Sequence, residues 1–178
     1  MIIPHGWDLP RHGAGTVRGV CPSRRETLAV STRIYTDGSC LSNPGRGGWA
    51  WAIPDGDFAT GAAAQTTNQR MEMTAALEAL QSVPDEDIEI VSDSTYVVKC
   101  FQDRWWAGWH RRGWKNSQGQ PVANRDLWEP LLEVALDERR TITFSWVKGH
   151  SGDRWNDAVD ELALAAAKSQ SGRRGTFG

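Results

Sequence analysis

With 178 residues, 39% of them hydrophobic and 24% charged, the chain has the size and composition of one globular domain with some extra length. A formal net charge of -2 excludes a global attraction to polyanions, so any nucleic-acid contact must come from a local basic face. Three widely spaced cysteines, Cys21, Cys40 and Cys100, exclude a disulfide framework and a cysteine-based zinc site. No apolar run approaches the roughly 18 residues that cross a bilayer, and the N-terminus lacks the layout of a signal peptide. No membrane partner is expected, and a cytoplasmic monomer is.

Residues 1–30 hold Pro4, Pro10, Pro22, several glycines and scattered arginines without an apolar period. They are expected to form a loose extension, either an arginine-bearing nucleic-acid arm or a dispensable leader, including one from a start codon assigned too early. Arg33 to Asp37 reads as a strand and Gly47 to Ile53 as the next, with the turn-rich Asn43-Pro44-Gly45 between them. A third strand over Asp57 to Gln65 completes an antiparallel meander. From Asn68 to Ser82, Met73, Ala76, Leu77 and Leu80 fall at i, i+3, i+4 and i+7, the stripe of a helix packed on a sheet, and Pro84 stops it. Ile88 to Ser92 is a short β-branched strand, and Asp93-Ser94 can cap a helix beginning near Thr95. A helix from Arg125 towards Leu136 follows, then a strand in which Ile142, Phe144 and Trp146 alternate with Thr143 and Ser145. A last helix puts Val159, Leu162, Ala163 and Ala166 on one face, and residues 169–178 read as a tail. This order implies a single α/β domain, a mixed sheet with helices on its faces.

Four acids stand at chemically useful places in that pattern. Asp37 and Asp93 end strands, and ligands of open α/β sheets gather beside strand C-termini where the topology switches. Glu72 and Asp160 begin helices beside buried stripes. Taken singly, each reads equally as a cap, a dipole partner or a solvated charge. Converged, they would repel one another and hold raised pKa values unless a hard divalent cation such as Mg²⁺ neutralises them. Two such ions about 3.5 to 4 Å apart would activate water on one side of a phosphodiester and stabilise the departing oxygen on the other. The expected chemistry is hydrolysis of a nucleic-acid backbone.

The local motifs carry a resemblance. Tyr35-Thr36-Asp37-Gly38-Ser39-Cys40, Asn43 to Gly48, Thr66 to Glu72, Ser92 to Val97, Trp146 to Gly152, and Asn156 with Asp160-Glu161-Leu162-Ala163 occur in order. Across Thr32 to Ala167 the chain resembles type 1 ribonuclease H, the bacterial single-domain form. The resemblance implies a five-stranded mixed sheet, three strands antiparallel and two parallel, with helices on both faces, filling residues 31–168. It implies an endonuclease that cuts the RNA strand of an RNA/DNA hybrid with two Mg²⁺ ions, Mn²⁺ being a possible substitute, leaving 3'-hydroxyl and 5'-phosphate ends. By resemblance Asp37 bridges the metals, Glu72 and Asp93 hold the leaving-group metal, and Asp160 holds the metal of the attacking water. His150, in a glycine-flanked loop, matches a residue thought to shuttle protons or help product leave, and its ordinary pKa near 6.5 suits that task.

Substrate contacts follow from the same resemblance. Asn43, Asn68 and Gln69 are implied minor-groove contacts, where an enzyme can touch the 2'-hydroxyl, and Thr67 with Asn124 cradles a phosphate of the DNA strand. Half of the ten tryptophans lie between Trp105 and Trp128, interleaved with cations, in a segment that matches the basic protrusion of some relatives, about residues 104–123. Arg111, Arg112 and Lys115 are candidate phosphate contacts. Trp105 and Trp109 are expected to face DNA, and Trp114 and Trp128 to be structural. Gly108 and His110 stand where relatives often place more polar or basic residues, implying a less charged protrusion, and Asp157 replaces a common Glu. Other readings are a resolvase- or integrase-type nuclease of the same superfamily and a silent hybrid-binding module.

Overall fold

The computed structural model describes residues 31–85 and 87–178, so the expected extension over residues 1–30 lies outside the described residues. Strands β1 (Thr32–Cys40), β2 (Gly45–Ala52) and β3 (Asp57–Thr66) form the antiparallel meander. Helix α1 (Asn68–Ser82) follows, then β4 (Asp87–Ser92), α2 (Thr95–Gln102), α3 (Trp105–Arg111), α4 (Arg125–Ala135), β5 (Thr141–Trp146) and α5 (Arg154–Ser169). A short β6 (Arg174–Thr176) closes the described chain, and the sheet order is β5-β4-β1-β2-β3-β6.

β1 is the central strand, paired parallel with β4 and antiparallel with β2, and its side chains alternate between two cores. Ile34, with Ile88, Ile90 and Trp51, faces α1 and a core that includes Met73, Ala76, Leu80 and Leu131. Tyr35, with Ala50, Ala52 and Val91, faces α5 through Val159, Leu162 and Ala163. Strands covered on both faces tend to be apolar, and β4 carries the β-branched Ile88, Ile90 and Val91, with Glu89 between them tied to Arg33 and Ser145.

Three helix starts carry side-chain caps. Thr67 Oγ1 accepts from Arg70 N at 3.4 Å, Ser94 Oγ from Val97 N at 3.3 Å, and Asp153 Oδ1 from Trp155 N at 3.0 Å. Each cap lies within one or two turns of an acid singled out from the sequence, so the local chemistry that starts the helix also places the carboxylate.

The sheet has six strands and not the five expected. Residues 174–176 pair antiparallel with the outer edge of β3, and Phe177 holds them by packing on Phe58 at 4.9 Å and Trp155 at 5.1 Å between ring centroids. The tail therefore covers an edge that would otherwise leave backbone groups unpaired. A three-residue strand shows no alternation, so periodicity cannot reveal it. Among the described residues, no helix is long and apolar enough to cross a membrane.

Candidate active site

β1 and β4 run parallel with Tyr35 opposite Val91. Asp37 and Asp93 each follow two residues later, so both acids arrive at the same end of the sheet. Glu72 joins them because Gly38 has no side chain: a Cβ there would lie 2.1 Å from Glu72 N. α5 is seated in the same way. A Cβ on Gly48 would lie 2.3 Å from Ala163 O, and Asp160 stands one turn before Ala163 on that closely docked helix.

The electrostatics report the convergence. Asp37 is only 7% exposed, and its carboxyl is pushed up to about 8, first by burial and then by Asp93, with Asp160 and Glu72 adding to the effect. The backbone hydrogen bond from Gly38 opposes this without cancelling it. Burial also raises Glu72, against the hydrogen bond it accepts on Oε2 from Ser94 Oγ at 2.5 Å; Asp93 pushes it up, while Asn68 Nδ2, donating to Oε1 at 2.9 Å, pulls it down. His150 Nδ1 stands 3.8 Å from Asp160 Oδ2 with the histidine side chain 82% exposed.

Among the described residues, no three or more His, Cys, Asp or Glu side chains are grouped so that together they could hold a metal ion. A hard divalent ion needs no such group, since Mg²⁺ takes one or two carboxylates and completes its shell with water and substrate phosphate. The donors here are all oxygen, and the raised Asp37 carboxyl marks a group that a cation would relieve. The residues present fit such an ion.

The amides expected to touch substrate lie beside the acids. Asn43 Oδ1 accepts from Asn68 N at 3.4 Å, joining the β1–β2 loop to the start of α1, and Gln69 is exposed next to them. Thr67 and Asn124 are linked through Arg70, whose backbone N–H donates to Thr67 and whose Nη1 donates to Asn124 Oδ1 at 3.4 Å. Arg70 also pairs with Asp126, at 2.6 Å from Nη2. Arg70 is not among the contacts that the resemblance implies, and its place inside the Thr66 to Glu72 motif is the one signal of it in the sequence.

The protrusion separates its aromatics from its cations. Trp109, expected to face DNA, is buried, with ring centroids 5.3 Å from Trp128 and 6.1 Å from Trp114. It belongs to the core because α3 presents that position inward, and a large aromatic gains more from burial than from water. Trp105 is half-buried against the same cluster, at 6.5 Å from Trp109. Trp128 is fully buried, as expected, and Trp114 half-buried. Arg111 and Arg112 remain exposed beside a cavity of about 540 Å³ lined also by Tyr96, Trp105 and Val122, and the exposed Lys115 is tied to them by Arg112 Nε, which donates to Lys115 O at 3.0 Å.

A mixed sheet of this order, with acids gathered where its parallel strands end, is of the ribonuclease H-like class of α/β folds. The family model described as RNase H matches residues 30–168. The chain is 46% identical over 141 residues to a ribonuclease H of Syntrophomonas wolfei, covering 76% of this chain and 95% of that one. It is 45% identical over 149 residues to a ribonuclease H of Geotalea uraniireducens, covering 82% and 99%. A crystal structure of a type 1 RNase H with the type 2 active-site motif superposes with a TM-score of 0.69 at 26% identity, covering 84% of this chain and 79% of that one. The chain belongs to the RNase H family. It is accordingly an endoribonuclease of RNA/DNA hybrids, in a family that works with divalent metal ions.

Proposed function

We propose that the enzyme hydrolyses the RNA strand with two Mg²⁺ ions, which Mn²⁺ can replace, giving 3'-hydroxyl and 5'-phosphate ends. The observation that carries this reading is the Asp37 carboxyl, held near 8 by burial and by three acids around it. In this reading Asp37 would be the ligand common to both ions, Glu72 and Asp93 would help hold the leaving-group ion, and Asp160 would hold the ion of the attacking water. When bound, the ions supply a water of lowered pKa and stabilise the charge on the departing oxygen. Ser94 and Asn68 fix the two oxygens of Glu72 by hydrogen bonds, so that acid is oriented before any ion arrives.

His150 takes or returns a proton from its exposed loop beside Asp160. Asn43, Asn68 and Gln69 meet the minor groove, where the 2'-hydroxyl tells RNA from DNA. Thr67, at the start of α1, and Asn124 hold a phosphate of the DNA strand; Arg70 behind them contributes positive charge, and a helix N-terminus favours an anion. Arg111, Arg112 and Lys115 contact further phosphates. A cytoplasmic monomer goes with this reading, in keeping with Cys40 and Cys100 as free thiols.

The test is cleavage of a labelled hybrid in Mg²⁺, in Mn²⁺ and in EDTA, beside an all-DNA duplex of the same sequence. Cutting of the RNA strand alone, abolished by EDTA, is expected. Equal cutting of the DNA duplex would overturn the substrate, and undiminished cutting in EDTA would overturn the metals.

A further inference from the structure

Asp93 lies in the step between β4 and α2, where regular backbone pairing has run out. The preceding carbonyl, Ser92 O, still accepts from Val147 N at 3.1 Å. The following residue, Ser94, is tied to Glu72 and caps α2. Between them the carbonyl of Asp93 finds its partner in a side chain, the indole Nε1 of Trp146, which donates to it at 3.1 Å. Gly149, three residues further on, packs against the carboxylate itself: a Cβ there would stand 2.5 Å from Asp93 Oδ2. The segment from Trp146 to Gly149 therefore touches Asp93 at both its carbonyl and its carboxylate.

The ring of Trp146 is poorly housed for a tryptophan. At 51% exposed, it is the most exposed of the large hydrophobic residues in the described chain, ahead of Leu136 and Leu41. An indole left half in water forgoes much of the burial that usually stabilises it. What this site takes from the residue is its N–H. We infer that Trp146 is a positioning residue for Asp93: the indole N–H fixes the peptide from which the carboxylate projects, and so sets the affinity for a divalent ion and the rate of turnover.

This inference rests on the divalent-ion reading of the four acids. A hydrogen bond of ordinary net strength corresponds to about a fivefold change in an equilibrium constant, and loss of a group that orients a metal ligand typically costs about 10- to 100-fold. An effect near the low end is expected, because Val147, Ser94 and Gly149 still hold the chain on either side.

The experiment titrates MgCl₂ into the full chain without nucleic acid, by calorimetry, for the parent, Trp146→Phe and Asp93→Asn, and measures hybrid cleavage for each. Trp146→Phe should weaken Mg²⁺ binding and lower kcat by about tenfold, with KM for the hybrid changed by less than about twofold. If Mg²⁺ binding and kcat both stay within about twofold of the parent, the role is refuted. A rise in KM alone also refutes it, and makes the exposed ring a substrate contact. Should Trp146→Phe lower the melting temperature, benzothienylalanine at position 146, which keeps the ring but lacks the donor, gives the same readout. Asp93→Asn separates the two readings: unchanged Mg²⁺ binding there sinks the metal assignment itself, whereas its loss there and not in Trp146→Phe sinks only the role of Trp146.

Discussion

The backbone of Gly38 rests directly on the backbone of Glu72, so that a Cβ on Gly38 would stand 2.1 Å from the glutamate nitrogen and 2.3 Å from Met71 C. β1 and α1 touch at the residue next to Asp37, and this contact draws Glu72 to the carboxylate end of the sheet. Gly38→Ala must push the helix away. A stability loss of about 1 to 3 kcal/mol, read from the urea midpoint, is expected. Displacing Glu72 by even about 1 Å should cost roughly a hundredfold in kcat. Full activity in the destabilised variant would mean that this contact does not set the geometry of the site.

Asp37 makes stability depend on pH in an unusual direction for an acid. The folded protein without metal keeps the Asp37 proton up to about 8, whereas an ordinary aspartate releases it near 3.8. Between those values the folded state binds more protons than the unfolded one, so stability falls as pH rises through the window and levels off above it. Chemical denaturation in EDTA should show the parent less stable at about pH 9 than at about pH 5, with a contribution from this group on the order of a few kcal/mol. Asp37→Asn should flatten that slope, and saturating Mg²⁺ should reduce it. The same slope in parent and variant would assign the effect elsewhere.

His150 is largely exposed, and among the described residues its imidazole pairs with Asp160, at 3.8 Å. Removing it should leave the core untouched. His150→Ala is expected to lower kcat by roughly a hundredfold with little change in KM or melting temperature. A KM effect with kcat intact would place His150 in binding and not in proton transfer.

Arg111 and Arg112 differ within the protrusion, because Arg112 also holds Lys115 O at 3.0 Å. Arg111→Ala should weaken hybrid binding and reduce the slope of log K against log salt by about 1, without loss of stability. Arg112→Ala should do the same and loosen the turn behind α3. Binding titrations at several salt concentrations check both, and an unchanged slope would leave these arginines as solvated surface.

Trp109 and Trp105 are separable by stability. Trp109→Ala empties a buried site among Trp105, Trp114 and Trp128, so a loss of about 3 to 5 kcal/mol is expected. Trp105→Ala, at a half-buried position, should cost less, and any effect on hybrid affinity should be larger for it than for Trp109→Phe. Equal stabilities of the two alanine variants would contradict the packing described here.

Most of the fold was legible in the residue pattern. The period of α1, the β-branched residues of β4 and the alternation of Ile142 and Phe144 in β5 follow from which faces must be buried, Trp146 being the exception, and Ser94 marks its helix start by its own hydrogen-bonding chemistry. The seven residues of α3 were harder to read, because three tryptophans on a helix of two turns, interleaved with cations, suit a packed face and a nucleic-acid surface equally well. β6 left no local signal, since its stability comes from β3 and from Phe177 meeting Phe58 and Trp155 far away in the chain.

The candidate site divides the same way. Asp37, Glu72, Asp93 and Asp160 could be named from short motifs, although only Asp93, just past β4, and Glu72, in the second turn of α1, sit at the expected strand end and helix start; β1 runs on past Asp37 to Cys40, and Asp160 lies two turns into α5. Their mutual electrostatics, the backbone contact of Gly38 with Glu72, the burial of Trp109 and the grip of Trp146 on Asp93 depend on segments distant in sequence. Local hydrogen bonding and hydrophobic period are written residue by residue, so the sequence by itself determined the elements and the kinds of group they carry. Burial and distance are properties of the packed chain, and only the tertiary structure decided which groups are shielded from water and close enough to act on one another.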